Sequence, residues 1–276
     1  MHTPSPIRTR ATRLAVAGLT LLGVVAFPSV VAAAPNGPGS PSGAKPTIVL
    51  EHGAWADGSS WDAVVTRLQK DGYTVDVPPN PLRGVTADSA YLASYLATVP
   101  GPIVLVGHSY GGFVTTDAAT GNANVKALVY VDAYIPAQGE TLDGLTTQFP
   151  GSQIAPTALS FVPSAGGVVD AYVKPAQFGA ILANDLPANR VAELAATQRP
   201  IAAAALGEPS GPPAWATIPS WAVIGTDDHA IPPAALEFMA QRAHAVVTTI
   251  DASHLSLISR PGTVTRVIEQ AAGHTS

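Results

Sequence analysis

No cysteine occurs in the 276 residues. Its absence excludes a disulfide framework, a cysteine nucleophile and any thiolate metal site. Charge is scarce as well. Only 12% of residues are charged, against roughly 25% in an average soluble protein. Lys and Arg total 14 against 19 Asp and Glu, for a net charge of −5. No basic stripe is present to neutralise phosphates, so nucleic-acid binding is not expected. Long apolar runs are nearly missing too. Beyond Val31 none reaches spanning length without a charge or a proline. No repeat recurs at a fixed period.

The exception lies at the N-terminus. Arg8, Arg10 and Arg13 precede an almost wholly apolar stretch from Leu14 to Val31, with Pro28 near its end and small residues at Ala32, Ala33 and Ala34. That order reads as a secretory signal peptide over 1–33, cut after Ala33 because a cut after Ala34 would leave Pro35 first. No adjacent arginine pair marks the twin-arginine route, so Sec-type export is expected, with no stable membrane insertion after cleavage. The alternative is an uncleaved anchor, since the apolar stretch is just long enough to span. Residues 34–45, rich in Pro, Gly and Ser, read as a flexible linker. One folded domain is expected over 46–276.

What is present is apolar residues, 47% of the chain, arranged in two periods. Short continuous runs predict buried strands: Thr47 to Leu50, Tyr73 to Val77, Ile103 to Gly107, Val125 to Val131, Ser220 to Gly225 and Ala245 to Ile250. Between them, helical spacing covers Trp61 to Lys70, Asp88 to Val99, Gly111 to Thr120, Pro232 to Ala243 and Thr263 to Ala272. Strands alternating with helices imply an α/β fold, a mostly parallel sheet flanked by helices. The alternation fails between Ala133 and Pro219, where prolines, glycines, scattered aromatics and a helical patch over Val191 to Ala204 replace it. This segment, about 133–219, reads as a small, mainly helical cap inserted over the strand ends.

Three polar residues stand out against this background. Gly107-His108-Ser109-Tyr110-Gly111 is a G-x-S-x-G pentapeptide between a strand and a helix. Such a turn exposes its serine at the strand's carboxyl end. A serine hydroxyl is a weak nucleophile at neutral pH and needs a base, which needs an orienting acid. Asp228 follows the strand ending at Gly225, and His254 follows the strand ending at Ile250. The chain order Ser, acid, His is the one this strand–turn–helix arrangement uses. Asp227 is adjacent and stays open as the acid, and Asp132 after Val131 is a more distant alternative. His52-Gly53-Ala54-Trp55 follows the first strand. The Ala54 amide, with that of Tyr110, is the candidate oxyanion hole. No two histidines have ligand-like helical spacing, so no metal is expected.

Taken together, HGAW, GHSYGG, GTDDHAIPP and SHLSLISRPGTV resemble the α/β-hydrolase superfamily, most closely its branch of plant methylesterases, hydroxynitrile lyases and bacterial esterase-like relatives. The resemblance covers nearly all of 46–272 and is weakest in the cap. It implies the α/β-hydrolase fold and a cofactor-free Ser-His-Asp hydrolase acting on a small, mostly apolar carboxylic ester or lactone. Ser109 is then the nucleophile, His254 the base and Asp228 the acid, with oxyanion donors at Ala54 and Tyr110. Trp55, His108, Tyr134, Phe149 and Phe161 are candidates for touching substrate. Lyases of the branch carry a threonine after the first-loop histidine and a lysine after the catalytic one; here Gly53 and Leu255 stand there, which favours ester hydrolysis. A slow-turnover ligand sensor on the same fold and lyase or perhydrolase chemistry remain the alternatives.

Overall fold

The computed structural model describes residues 45–275; the expected signal peptide and almost all of the expected linker lie outside the described residues. Six strands form one parallel sheet: β1 (Thr47–Glu51), β2 (Val75–Asp76), β3 (Ile103–His108), β4 (Val125–Val131), β8 (Ser220–Gly225) and β9 (Val246–Ile250), in the order β2-β1-β3-β4-β8-β9. The helices of this layer are α1 (Asp62–Lys70), α2 (Val85–Leu96), α3 (Gly111–Ala118), α7 (Pro233–Arg242), α8 (Ser256–Ser259) and α9 (Pro261–Gly273). Every residue of β3 and β8 is buried, so neither face of these strands meets water. That is why their sequences read as unbroken apolar runs rather than alternating ones. β9, by contrast, is an edge strand with Val246 and Val247 exposed.

Most strand and helix boundaries fall within three residues of those the spacing predicts. One shift has a visible cause. Asp88, expected to open its helix, lies in the first turn of α2, which starts at Val85. Its carboxylate reaches back to accept the amides of Arg83 and Gly84. It therefore satisfies the helix start from inside the turn rather than from the residue before it.

The segment between Val131 and Ser220 is an insertion over the carboxyl ends of the strands. It holds α4 (Leu142–Gln148), α5 (Pro175–Leu182) and α6 (Ala188–Thr197). It also holds a small antiparallel sheet of β5 (Leu159–Pro163), β6 (Val169–Val173) and β7 (Ile201–Ala202), which the helical reading of this region does not contain. The helical patch expected over Val191 to Ala204 is split, because Pro200 stops the helix and the chain turns extended at Ile201. The insertion is tied down by an ion pair from Arg83 to Asp170 at 2.7 Å. A main-chain bond from Ala202 N to Leu82 O adds a second tie. Among the described residues no helix is long and apolar enough to cross a membrane.

Candidate active site

Three loops at the carboxyl ends of β3, β8 and β9 converge under the insertion. The first is the elbow between β3 and α3. Ser109 sits there with φ at 53°, a left-handed conformation that side chains disfavour. The packing around it enforces the turn. A Cβ on Gly53 would come within 2.6 Å of the Ser109 Cβ, and one on Gly112 within 2.0 Å of the Tyr134 carbonyl oxygen. Trp55 (φ 58°) and Asp132 (φ 42°) are also left-handed. Three of the five left-handed non-glycine residues among those described thus stand in loops at the carboxyl ends of the strands; Leu82 and His244 lie elsewhere.

The Ser109 hydroxyl donates to His254 Nε2 at 2.9 Å. On the other side of the ring, His254 Nδ1 donates to Asp228 Oδ2 at 2.7 Å. The second oxygen of Asp228 accepts the amides of Ala230 and Ile231, each at 2.8 Å. All three side chains are buried. Asp227 takes no part: it faces solvent and meets His229 at 3.2 Å and Asn184. Asp132 is buried nearby, but its oxygens accept Gly225 N and the Ser256 hydroxyl. Geometry therefore gives Asp228 the place beside the histidine.

Electrostatics follow from burial. Loss of water pushes the Asp228 carboxyl well up, against the pull of its two amide donors. Burial also pushes His254 down from 6.5 to about 3. The imidazole is therefore neutral near pH 7, with its proton on Nδ1 and Nε2 free to accept from Ser109. A protonated His254 is no base, so activity is lost only as pH falls through its lowered pKa. The acid limb of kcat/KM is expected below the 6.5 of an ordinary histidine, with the rate at pH 5.5 still close to that at pH 7. A limb centred at 6.5 or above, measured on a neutral ester, contradicts this.

The amides of Ala54 and Tyr110 donate to no group among the described residues. Both residues line one cavity of about 440 Å³ together with Ser109, Trp55 and Tyr134. Leu142, Thr146, Ile154, Pro156 and Leu206 complete much of its wall; the sequence reading does not single these out. A second, narrow cavity of about 20 Å³ meets the first at Ala54 and Trp55 and is bounded by His254, Leu255, Phe178 and Leu182. Trp55 is held between the two, its indole donating to Ala171 O at 2.9 Å and its amide to Arg199 O at 3.0 Å.

Three substrate-contact candidates line neither cavity. His108 is the last residue of β3; its ring stays in the core and donates from Nε2 to the His254 carbonyl at 3.0 Å. It supports the base from behind. Phe149 packs on Phe238 at 5.5 Å. Phe161 is 48% exposed on β5. His52 is likewise a support: Nδ1 donates to Gly53 O and Nε2 accepts Asn80 N, which fixes the loop that presents Ala54.

A serine, a histidine and a buried carboxylate in one hydrogen-bonded relay, beside two amides unpaired among the described residues at the carboxyl edge of a parallel sheet, are the triad-like arrangement of an α/β-type hydrolase. Comparison with known proteins places it more closely. Residues 48–267 match the alpha/beta hydrolase family, and the chain belongs to it. It is 25% identical to the alpha/beta hydrolase nvfD of Aspergillus novofumigatus, over 83% of this chain and 97% of that protein. A carbendazim hydrolyzing esterase from a Nocardioides species is 34% identical over 36% of this chain; the match spans 46% of that relative, less than half its length. Among solved structures, a pyrethroid hydrolase from Sphingobium faniae shares the fold with a TM-score of 0.67. Its identity is 23%, over 83% of this chain and 97% of that one.

Proposed function

We propose that the protein is an exported serine esterase that cleaves small, mostly apolar carboxylic esters or lactones through an acyl-enzyme. The observation that carries this is the unbroken relay from Ser109 through His254 to Asp228, opening beside two free amides into a cavity of about 440 Å³. That volume falls in the range of pockets for small ligands, ~300–1,000 Å³. Apolar lining from Leu142, Ile154 and Leu206 suits an apolar acyl or alcohol group. Relatives named for hydrolysing carbendazim and pyrethroids support ester-type substrates. Leu255, apolar and beside His254, offers no cation to a leaving anion, which favours hydrolysis over lyase chemistry.

In the first half-reaction Ser109 Oγ bonds to the carbonyl carbon while its proton passes to His254 Nε2. The carbonyl oxygen becomes an anion and accepts from the Ala54 and Tyr110 amides. Asp228 stabilises the imidazolium without taking its proton. The tetrahedral species collapses, the C–O bond to the alcohol breaks, and His254 returns the proton to the leaving oxygen. Water then repeats the sequence on the acyl-enzyme.

The test is to treat culture medium from cells expressing the full chain with a fluorophosphonate probe, and to assay the same protein on short p-nitrophenyl esters. Labelling at Ser109 with rapid turnover is expected. An unlabelled folded protein, or tight ligand binding with negligible hydrolysis, overturns the esterase reading. N-terminal sequencing of the labelled band is expected to begin at Ala34. A labelled protein found only in the membrane fraction with Met1 intact overturns export alone.

A further inference from the structure

The insertion does more than cover the cavity. The end of α5 and the three residues after it touch both catalytic loops. On the acid side, Ala180 O accepts from His229 Nδ1 at 2.9 Å, and Asn184 Nδ2 donates to Asp227 Oδ2 at 2.5 Å. These partners flank Asp228 in the chain. On the base side, Leu182 O accepts both the Leu255 amide at 3.1 Å and the Ser253 hydroxyl at 3.3 Å. Asp185 accepts the Ser253 amide at 3.2 Å and the Ser253 hydroxyl. These partners flank His254. One short stretch of the cap thus holds the neighbours of both partners in the 2.7 Å His254–Asp228 bond.

We propose that segment 180–185 is a splint that fixes His254 against Asp228, with Asp185 as its principal positioning residue, so that the cap sets the rate of chemistry and not only the fit of substrate. The assignment rests on the serine-esterase reading. Its physical basis is that neither catalytic loop is regular structure. Asp228 and His254 both sit beyond the ends of their strands, just past the point where main-chain pairing between the two loops runs out at Thr226 N to Ile250 O and Asp227 N to Ala252 O. Ser253 is fully buried and both of its donors end on this segment. Loss of Asp185 leaves the Ser253 amide without its acceptor and the Ser253 hydroxyl with Leu182 O alone, loosening the residue immediately before the base. Leu182 and Leu255, joined by their main-chain bond, also wall the narrow cavity beside His254. A group that enters that cavity bears directly on the splint.

The experiment compares Asp185→Ala, Asp185→Asn and the control Glu193→Gln, an exposed α6 residue whose side chain pairs with Arg190, on one p-nitrophenyl ester, with thermal melts alongside. A small displacement of a catalytic group costs up to about a hundredfold, so Asp185→Ala is expected to lower kcat about ten- to a hundredfold with KM changed by less than about threefold. Asp185→Asn is expected to recover most of that rate. Its amide oxygen can accept Ser253 N–H and its NH₂ can donate to the Ser253 oxygen, which still donates to Leu182. Glu193→Gln should match wild type. Wild-type kcat in Asp185→Ala overturns the proposal. So does a parallel loss of kcat, KM and melting temperature that Asp185→Asn fails to relieve. If Asp185→Ala does not fold, Asn184→Ala, which cuts the acid side, must lower kcat at constant KM. Should wild-type Ser109 resist the fluorophosphonate, the esterase reading has failed; should wild type be labelled and Asp185→Ala be labelled equally fast, the splint alone has failed.

Discussion

Ser109→Ala is expected to lower kcat by about 10⁶-fold while leaving KM within a few-fold, because triad members act as a unit and loss of the nucleophile removes the whole covalent route. The residual rate comes from the Ala54 and Tyr110 amides and from binding, which the substitution leaves in place. Ser109→Gly should be equally inactive and yet more stable than Ser109→Ala. Both lose the bond to His254, but only glycine adopts the 53° φ of this position without strain. Left-handed backbone costs an ordinary residue roughly 1–2 kcal/mol. On a domain of this size 1 kcal/mol corresponds to about 2–4 °C in melting temperature. Glycine's extra freedom in the unfolded chain opposes part of this. Thermal melts of the two variants give the comparison. A glycine variant that melts at or below the alanine variant shows that the elbow is not strained; a loss of less than about a thousandfold in either shows that Ser109 is not the nucleophile.

The sheet and the relay were legible in the sequence for one reason. Fully buried parallel strands must be continuously apolar, so β3 and β8 stand out, and the residues just past their ends are few. Ser109 and Asp228 occupy such places, His254 follows the half-exposed edge strand β9, and the structure brings these three within hydrogen-bond distance. The glycines of the elbow carry the same kind of local signal, since neighbouring atoms leave no room for a side chain at Gly53 or Gly112. Choosing between Asp227 and Asp228 was beyond local reasoning. Which of two adjacent carboxylates turns inward depends on the amides of Ala230 and Ile231, which form around Asp228 once the chain has folded.

The cap was least legible because its residues are positioned by partners far along the chain. Trp55 reaches Ala171, Arg83 reaches Asp170, and Asp185 reaches Ser253. Being aromatic and inside the insertion did not bring Phe149 or Phe161 to the cavity, while Leu142 and Leu206, with no distinguishing chemistry, line it. A local signal for β5 and β6 existed: two β-branched and aromatic runs separated by Ala165-Gly166-Gly167, a hairpin pattern. Thr141, whose side chain accepts the Gly144 amide, likewise announced α4. His108 shows the reverse error. It adjoins the nucleophile, but the left-handed turn lifts only Ser109 out of the sheet, and His108 remains in the core as the last residue of β3.

Asp228→Asn is expected to lower kcat by about 10⁴-fold, the cost of a histidine held in the wrong tautomer. The geometry dictates the outcome. At position 228 one oxygen is bound by the amides of Ala230 and Ile231. An asparagine must turn its own oxygen to those two donors, which aims its NH₂ at His254 Nδ1. Nδ1 then has to accept, the ring proton moves to Nε2, and Nε2 can no longer take the proton of Ser109. Asp132 offers no substitute, since both its oxygens are already engaged by Gly225 and Ser256. Stability should change little, because the two amide bonds survive and a buried carboxylate whose charge is disfavoured is lost. Asp227→Asn should retain wild-type kcat to within about twofold, since the side chain lies outside the relay and its amide oxygen can still accept from Asn184. Steady-state assays of the two variants, with melts to show that both are folded, decide the acid directly: equal losses in both, or a larger loss in Asp227→Asn, would remove Asp228 from the mechanism.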